Sequence, residues 1–370
     1  MKFISKYQIN IEPIKNYVNQ KYFPALTGLR AVAAFMVFCH HNNPISKDIF
    51  GESVFEFFQE LHVGVTFFFV LSGFLITHRY FEQPEIDLKK YFVNRFARIF
   101  PMYFLVTTLT FAVFVFFYKQ NIAENIPVYF LNITLLKGYF QEIIYSGVGQ
   151  GWTLTVEECF YVLAPLLFLF IKRTKIYLVF LPIFFFAIGY FLVLIANQNG
   201  VYGFMKSYEF MIDYTFFGRC AEFLIGVAIA LFYNKIPQLK YFNYTFFGLI
   251  CSFFLIFELS ILQTPNGFGT DCWFGKIINN LLLPLLGIAP LIYGLATETT
   301  WVSRFLGSRP LQILGKSSYV FYLIHIGIFY VVFDKLFGNL MVSFILLNAV
   351  SVLLYRFVER PLNIFLRKLI

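Results

Sequence analysis

The stretch that decides the fold is residues 176–196, IYLVFLPIFFFAIGYFLVLIA, which contains no charged side chain. A helix needs about 20 mostly apolar residues to cross a bilayer, so this run predicts a membrane-spanning helix. The alternating polar residues of a membrane barrel strand are missing from it. The complete sequence has the same character, because 59% of its 370 residues are hydrophobic and only 13% are charged. The chain is therefore predicted to be a polytopic integral membrane protein.

Ten such apolar stretches can be counted outward from this one. They lie at 25–43, 62–80, 100–118, 152–171, 176–196, 214–233, 244–263, 277–296, 317–334 and 340–358. The predicted fold is an all-α bundle of about ten transmembrane helices. Its expected parts are an N-terminal segment at 1–22, a membrane domain at 23–361 and a tail at 362–370.

The basic residues predict the orientation of this bundle. The segments assigned to the cytosol hold 21 of the 29 lysines and arginines, and the outer loops hold six. The positive-inside rule therefore places both termini in the cytosol. Residues 1–22 lack the apolar core of a signal peptide, so the first span is expected to direct the chain into the cytoplasmic (inner) membrane. The net charge of +9 follows from this asymmetry and requires no nucleic-acid partner.

Ionisable side chains inside apolar spans are the candidates for function, because each costs about 2.5–3.5 kcal/mol to insert. They are Arg30, His40, His41, Glu157, Glu158, Arg219, Glu222 and His325. The five cysteines are scattered, without metal-ligand spacing, so neither a metal site nor a disulfide framework is predicted.

Arg30 and His41 are predicted to share one face of the first span. Eleven residues rotate an α-helix by about 1100°, which is close to three full turns, and separate the two side chains by about 16.5 Å along the axis. Arg30 then lies towards the cytosol and His41 near the outer surface. A snorkelling arginine with a pair of interfacial histidines is an equally open interpretation.

Glu157 is predicted to lie at a depth similar to His41, since the fourth span enters from the outside about one and a half turns earlier. A carboxylate that holds one imidazole nitrogen makes the other a better general base, as deprotonation of a hydroxyl nucleophile requires. The alternative is a structural carboxylate capped by a neighbouring span.

Three further features have a functional and a structural interpretation. Arg95 and Arg98 are three residues apart and suit phosphate groups, although basic residues at cytosolic helix ends are often topological. Arg219 and Glu222 are predicted to form an intrahelical ion pair. His325, placed in the middle of the ninth span, either lines a cavity or is a satisfied structural histidine.

Several strings, in order, resemble the membrane acyltransferase-3 family. These are ALTGLRAVAA at 25–34 followed by His41, GV at 64–65 with FFVLSGFLIT at 68–77, RFARIFP at 95–101, WTLTVEECFY at 152–161, Arg219 to Gly226, SY at 318–319 with His325, and ERP at 359–361. The resemblance covers about residues 22–361. Thr66 departs from the pattern, because many relatives have an acidic or amide residue there, which would alter substrate contacts.

The resemblance implies a multi-pass enzyme that moves an acyl group, expected to be acetyl, from acetyl-CoA to a hydroxyl of a cell-surface or lipid-linked carbohydrate. It implies that His41 is catalytic with Glu157, and that Arg30, Arg95 and Arg98 bind the donor. His325 and Arg219 are candidates for contact with the substrate. No esterase-like domain is appended, so a stand-alone form is expected.

Two other functions remain open from the sequence. A transporter or flippase for a lipid-linked sugar would also place polar residues within spans, although the inverted repeats common in transporters are not evident. A membrane protein that keeps the fold without catalysis is the third possibility. The sequence leaves open the acceptor, the length of the acyl chain, direct transfer against an acyl-histidine intermediate, and the oligomeric state.

Overall fold

The computed structural model describes residues 22–119, 121–196, 200–237, 239, 241–264 and 267–369. Within these ranges the chain is helical, and its one strand-like pairing is an isolated bridge between Phe140 and Phe204. The predicted all-α class is confirmed. The predicted N-terminal segment lies outside the described residues except for Tyr22.

The α-helices are listed here in chain order. They are α1 Pro24–His41, α2 Lys47–Phe50, α3 Glu52–Gln59, α4 Gly64–Tyr80, α5 Leu88–Phe116, α6 Ile122–Ile133, α7 Trp152–Arg173, α8 Tyr177–Ala196, α9 Tyr208–Tyr214, α10 Phe216–Phe232, α11 Tyr244–Ile261, α12 Trp273–Ile277, α13 Ala289–Thr297, α14 Trp301–Leu306, α15 Arg309–Ile324, α16 Ile328–Phe337, α17 Leu340–Leu354 and α18 Arg360–Arg367. Two π-helical segments, Ile278–Ile288 and Tyr355–Glu359, join α12 to α13 and α17 to α18.

The described part of the chain contains eight helical segments that are long and apolar enough to cross a membrane. They are Glu52–Tyr80, Leu88–Phe116, Gly149–Arg173, Tyr177–Ala196, Tyr208–Phe232, Tyr244–Ile261, Trp273–Thr297 and Leu340–Arg367. The pair α15 and α16 makes a ninth if it is counted as one crossing. The multi-pass architecture is therefore confirmed, and eight or nine segments, against the ten predicted, are long and apolar enough to cross a membrane. The difference is α1, which forms as predicted but carries Arg30, His40 and His41 within 18 residues.

The predicted ninth span is not one straight helix. α15 ends at Ile324, α16 begins at Ile328, and their axes differ by 89°. Gly327 lies in the break with φ +83°, a conformation that glycine adopts without steric cost. The sequence placed His325 in the middle of a span, and this was wrong, because His325 lies at the end of a helix. The tenth span is longer than predicted, because α18 extends it to Arg367.

α1 is a central helix of the bundle. It packs against α4 and α15, and its alanines and leucines are buried. By contrast, α8 leaves large apolar side chains such as Ile183 and Phe191 exposed, as expected for a helix that faces lipid. Because α1 is enclosed by protein, its charged side chains can face polar cavities instead of hydrocarbon.

A close crossing of α4 and α10 fixes the second wall of these cavities. Gly73 and Gly226 meet there, and a Cβ at Gly226 would lie 2.1 Å from the carbonyl oxygen of Val70. Small residues allow helix backbones to approach closely in membranes. The crossing holds Ser72 of α4 and Arg219 of α10 at fixed positions beside α1.

Candidate active site

Two cavities lie near the opposite ends of α1. The first, which we call the arginine cavity, has a volume of about 410 Å³. Its basic lining residues are Arg30, Arg79, Arg95, Arg98, Lys316 and Arg367. None of its described lining side chains is acidic. The three arginines that were predicted to bind the donor are thus brought together in one positively charged cavity.

Arg95 and Arg98 reach this cavity from the same helix, because α5 begins at Leu88 and not at the predicted start of the span, residue 100. The Arg95 guanidinium lies over the rings of Tyr161 and Tyr80, at 5.4 and 5.7 Å from their centroids. Aromatic faces of this kind hold a guanidinium in place while leaving its N–H groups available.

Arg98 is held differently, by an ion pair. Its Nη1 donates to Oε1 of Glu359 at 2.6 Å, and Glu359 is only 2% exposed. Sequence reasoning missed Glu359 as a partner, although the ERP string contained it. Part of the Arg98 charge is therefore neutralised within the protein.

Arg30 and Arg95 each keep a buried Nε without a hydrogen-bond partner among the described residues. A buried donor without an acceptor is costly, so native sites of this kind are usually completed by a ligand or water. An anion with several oxygen atoms, such as a phosphate group, matches two adjacent guanidinium groups. The residues present therefore fit the phosphates of an acyl-CoA.

Glu157 does not hold His41 in this structure. Its Oε1 accepts hydrogen bonds from Ser72, at 2.8 Å, and from the hydroxyl group of Tyr161, one turn further along α7. Tyr161 is the residue that supports the Arg95 guanidinium. The Glu157 carboxylate thus points towards α4 and, through Tyr161, is connected to Arg95 of the arginine cavity. The sequence did not predict the hydrogen bonds of Glu157 to Ser72 and Tyr161, which depend on the direction of its side chain around the α7 axis.

The second cavity, which we call the histidine cavity, has a volume of about 150 Å³ and is lined by His40, His41 and His62. The ring centroids of His40 and His41 are 4.7 Å apart, and those of His40 and His62 are 5.3 Å apart. The His41 side chain is exposed towards this space, whereas His40 Nδ1 bonds to the carbonyl oxygen of Gln59 at 2.5 Å. Of the chain's five histidines, His78 lines the arginine cavity instead.

His325 belongs to the same histidine group but lies behind His41. Its ring centroid is 5.4 Å from that of His41, its side chain is fully buried, and it does not line the cavity. In this structure His325 contacts His41, and its contact with substrate stays a prediction. Among the described residues, no three side chains of the His, Cys, Asp and Glu types are placed to hold one metal ion.

Arg219 forms the predicted ion pair with Glu222, with Nε and Oε1 2.9 Å apart. It also lines the histidine cavity, and its Nη2 donates to the Thr66 hydroxyl at 3.0 Å. Thr66 in turn donates to Oδ1 of Asn279 at 2.9 Å. Thr66, the residue that departs from the family pattern, is fully buried. Its hydroxyl group therefore joins Arg219 to Asn279 of the π-helical segment Ile278–Ile288.

Polar residues outside the predicted set complete the wall of the histidine cavity. They are Tyr145, Gln150, Asp213, Tyr214, Thr270, Asp271, Asn279 and Tyr322. Most lie in loops or at helix ends, where helical periodicity gives no signal. Tyr322 could have been found from the sequence, because it lies three residues before His325 and so shares a helix face with it.

A buried lysine supports this wall from the loop between α6 and α7. Lys137 Nζ donates to the carbonyl oxygens of Ser146 and Val148, at 2.7 and 2.5 Å. Burial lowers the pKa of Lys137 to about 7. The clamped loop continues to Gln150, whose amide donates to the carbonyl oxygen of Tyr322. Lys137 was predicted only as an outer-loop charge.

The fold and the site together define a multi-pass helical membrane protein with an anion-binding cavity and a histidine-lined cavity near opposite ends of one buried helix. A family model described as an acyltransferase domain matches residues 23–356. The chain therefore belongs to the acyltransferase-3 family.

Three bacterial proteins with curated names are similar to this chain. A protein of Staphylococcus aureus strain COL, provisionally named an O-acetyltransferase, is 23% identical over 93% of this chain and 58% of its own length. O-acetyltransferase OatA of S. aureus strain NCTC 8325 is 24% identical over 95% of this chain and 58% of its own.

Peptidoglycan O-acetyltransferase OatA of Listeria monocytogenes strain EGD-e is 29% identical over 42% of this chain and 26% of its own. The chain thus spans little more than half the length of the Staphylococcus relatives. No solved structure matches it at a significant level.

Proposed function

We propose that this protein is a membrane O-acetyltransferase that moves the acetyl group of acetyl-CoA to a hydroxyl group of a cell-surface or lipid-linked carbohydrate. The observation that carries the proposal is the placement of three arginines and His41 in separate cavities along one helix. The names of the relatives, two of them O-acetyltransferases called OatA, support the acetyl group and the carbohydrate acceptor.

The donor would bind with its phosphates in the arginine cavity. Arg30 and Arg95 supply N–H donors without a partner in the described structure, and Arg98 adds positive charge. Arg30 is about 16.5 Å from His41 along α1 at 1.5 Å per residue. The long pantetheine arm of CoA would carry the thioester along this distance towards the histidine cavity.

His41 would act as the general base towards the acceptor hydroxyl group. As the hydroxyl oxygen attacks the thioester carbonyl carbon, a C–O bond forms and the C–S bond breaks. The hydroxyl proton passes to His41 and then to the departing thiolate, so CoA leaves as the thiol. Arg219, at the cavity wall, would stabilise negative charge on the carbonyl oxygen.

The orientation would place the arginine cavity at the cytosol and the histidine cavity at the outer surface of the cytoplasmic membrane. α1 and the bent pair α15 and α16 would each cross once, which gives ten crossings with both termini in the cytosol. The excess of basic residues in the segments assigned to the cytosol supports this arrangement. A transporter of lipid-linked sugars is less well supported, because an arginine-lined cavity at one end of α1 and a histidine-lined cavity at the other fit a reaction better than a passage.

The test is transfer of labelled acetyl from acetyl-CoA by purified protein in liposomes, with and without a glycan-lipid extract. Wild type should label the glycan fraction. His41→Ala should lower the rate by about 100-fold or more, as expected for loss of a general base, while its unfolding temperature stays near that of wild type. Full activity of the folded His41→Ala protein would refute the role of His41. Absence of transfer by folded wild type, with acetyl-CoA and longer acyl-CoAs, would favour the transporter.

A further inference from the structure

The environment of His325 fixes which of its ring nitrogens carries the proton. His325 is the residue that ends α15, and its Nδ1 lies 2.8 Å from the carbonyl oxygen of Tyr322. A carbonyl oxygen only accepts hydrogen bonds, so Nδ1 must be the protonated nitrogen. In the neutral ring, Nε2 is then left with a free lone pair.

That lone pair has no hydrogen-bond partner among the residues that the structure describes. Nε2 of His325 is buried without a hydrogen bond among the described residues, and the side chain has no exposed surface. A buried acceptor without a donor lowers stability, and such atoms in native proteins usually have a function or a partner that arrives later. The groups that already touch the His325 ring are the nearest candidates for that donor.

In the described part of the chain three rings touch His325, and one of them has ring nitrogens without a hydrogen bond there. Phe321 stacks on it at 5.9 Å and has no polar atom. Tyr322 lies at 5.5 Å, but its hydroxyl group is 3.0 Å from the hydroxyl group of Thr153. His41, at 5.4 Å, carries ring nitrogens for which the structure gives no hydrogen bond.

We propose that His325 is a positioning residue that accepts a hydrogen bond from the His41 ring through Nε2. The bond fixes the His41 tautomer in which the other ring nitrogen is unprotonated and faces the histidine cavity. The inference rests on the proposed role of His41 as the base. His325 does not line the cavity, so it acts through His41 and not on the substrate.

This pairing replaces the partner that sequence analysis assigned to His41. The carboxylate of Glu157 is engaged by Ser72 and Tyr161, and is thus linked to the arginine end. His325 can orient His41 in place of a carboxylate, because the Tyr322 carbonyl oxygen fixes its ring and leaves the Nε2 lone pair free. The bond to His41 is not formed in this structure, and hydrogen bonds in catalytic sites often close only when substrate is bound. The pairing itself adds no charge next to His41, because both imidazoles stay neutral.

Two substitutions separate the two nitrogens of His325. In His325→Gln, the amide oxygen can accept a hydrogen bond near the position of Nε2, while the anchor to Tyr322 is lost. In His325→Asn, the amide nitrogen can keep the Tyr322 anchor near the position of Nδ1, but no acceptor reaches His41. If His325 only holds the end of α15 in place, the Asn variant should keep more activity than the Gln variant. If His325 orients His41, the Gln variant should keep more activity.

The first measurement is steady-state acetyl transfer by the full chain in liposomes. We expect kcat to fall by about 10- to 100-fold in His325→Asn, by analogy with the loss of an outer partner of a metal-ligating histidine, and clearly less in His325→Gln. The KM for acetyl-CoA should stay unchanged in both, because the arginine cavity is intact. In a His41→Ala background, neither substitution should lower the residual rate further.

The second measurement does not depend on activity. Diethyl pyrocarbonate modifies unprotonated imidazole nitrogens, and mass spectrometry of peptides reports the rate at His41, with His78 as the internal reference. His41 should react at similar rates in wild type and His325→Gln, and more slowly in His325→Asn. If His325→Asn keeps wild-type kcat and His41 reactivity, or if His325→Gln loses both, the pairing is refuted. If wild type transfers no acetyl group but labelling follows the expected order, the pairing stands and the proposed function fails.

Discussion

Replacing Arg98 by methionine separates donor binding from folding in the arginine cavity. Methionine keeps the unbranched first part of the side chain but removes the guanidinium charge and its N–H donors. Arg98 both lines the cavity and pairs with Glu359 at 2.6 Å. Arg98→Met should therefore weaken binding of CoA and destabilise the protein by different amounts.

The size of each effect follows from the geometry. A hydrogen bond to a charged group is worth about 1.5–3 kcal/mol, so loss of one phosphate contact should raise the Kd for CoA by about tenfold to 150-fold. Removing one partner of a buried ion pair costs about 3–5 kcal/mol. Arg98 is 26% exposed and Glu359 only 2%, so the lower end of that range applies.

A second substitution tells the two effects apart. In Arg98→Met/Glu359→Gln, no uncompensated carboxylate remains, so most of the stability should return while the affinity for CoA stays low. Arg356→Met is the matched control, since it removes the same charge from a basic residue that lines a different groove. It should leave both quantities unchanged.

The assays are isothermal titration of CoA into detergent-solubilised protein and thermal unfolding of the same samples. Wild-type affinity in Arg98→Met would mean that Arg98 serves only the ion pair, and that the phosphates bind elsewhere. Equal weakening in Arg356→Met would mean that CoA responds to overall charge and not to this cavity.

Two further changes test the packing that holds the site. Lys137→Met removes a buried ammonium group whose pKa burial lowers to about 7. The unfolded chain keeps this proton up to about pH 10.4, so wild type should gain stability relative to the variant as pH rises from about 7 towards 10. Unfolding temperatures at about pH 6 and about pH 9 check this, and a constant difference would contradict it. Gly226→Ala places a methyl group 2.1 Å from the Val70 oxygen and should cost about 1–3 kcal/mol in unfolding experiments. Gly149→Ala meets only Ile326, at 3.4 Å, and should have no such effect.

The membrane architecture was predictable because hydropathy acts on each segment separately. The run at 176–196 needs no partner to be recognised as a span, and α8 at Tyr177–Ala196 matches it within one residue. The bend at Gly327 was not predictable in this way, because one glycine in an apolar run is compatible with a straight helix. Its positive φ is a property of the packed bundle.

The arginine cavity was partly predictable from helical geometry. Arg95 and Arg98 share a face because they are three residues apart, and the structure places them with Arg30 as expected. Contacts between distant helices followed no such rule. His41 and His325 lie in contact although 283 residues separate them in the chain, and the span prediction placed His325 in the middle of a straight helix.

The position of Glu157 shows what the polar groups between the two cavities do. Its carboxylate joins Ser72 of α4 to Tyr161, and Tyr161 supports Arg95, so Glu157 helps to hold the wall of the arginine cavity. Arg30 and His41 are then separated by about 16.5 Å of helix, and no described acidic side chain lines the arginine cavity. A compact acyl donor bound at the arginines would not reach His41. A donor that combines anionic groups with a long, thin arm would satisfy both ends at once, which is why we propose an acyl-CoA and not a small acyl phosphate.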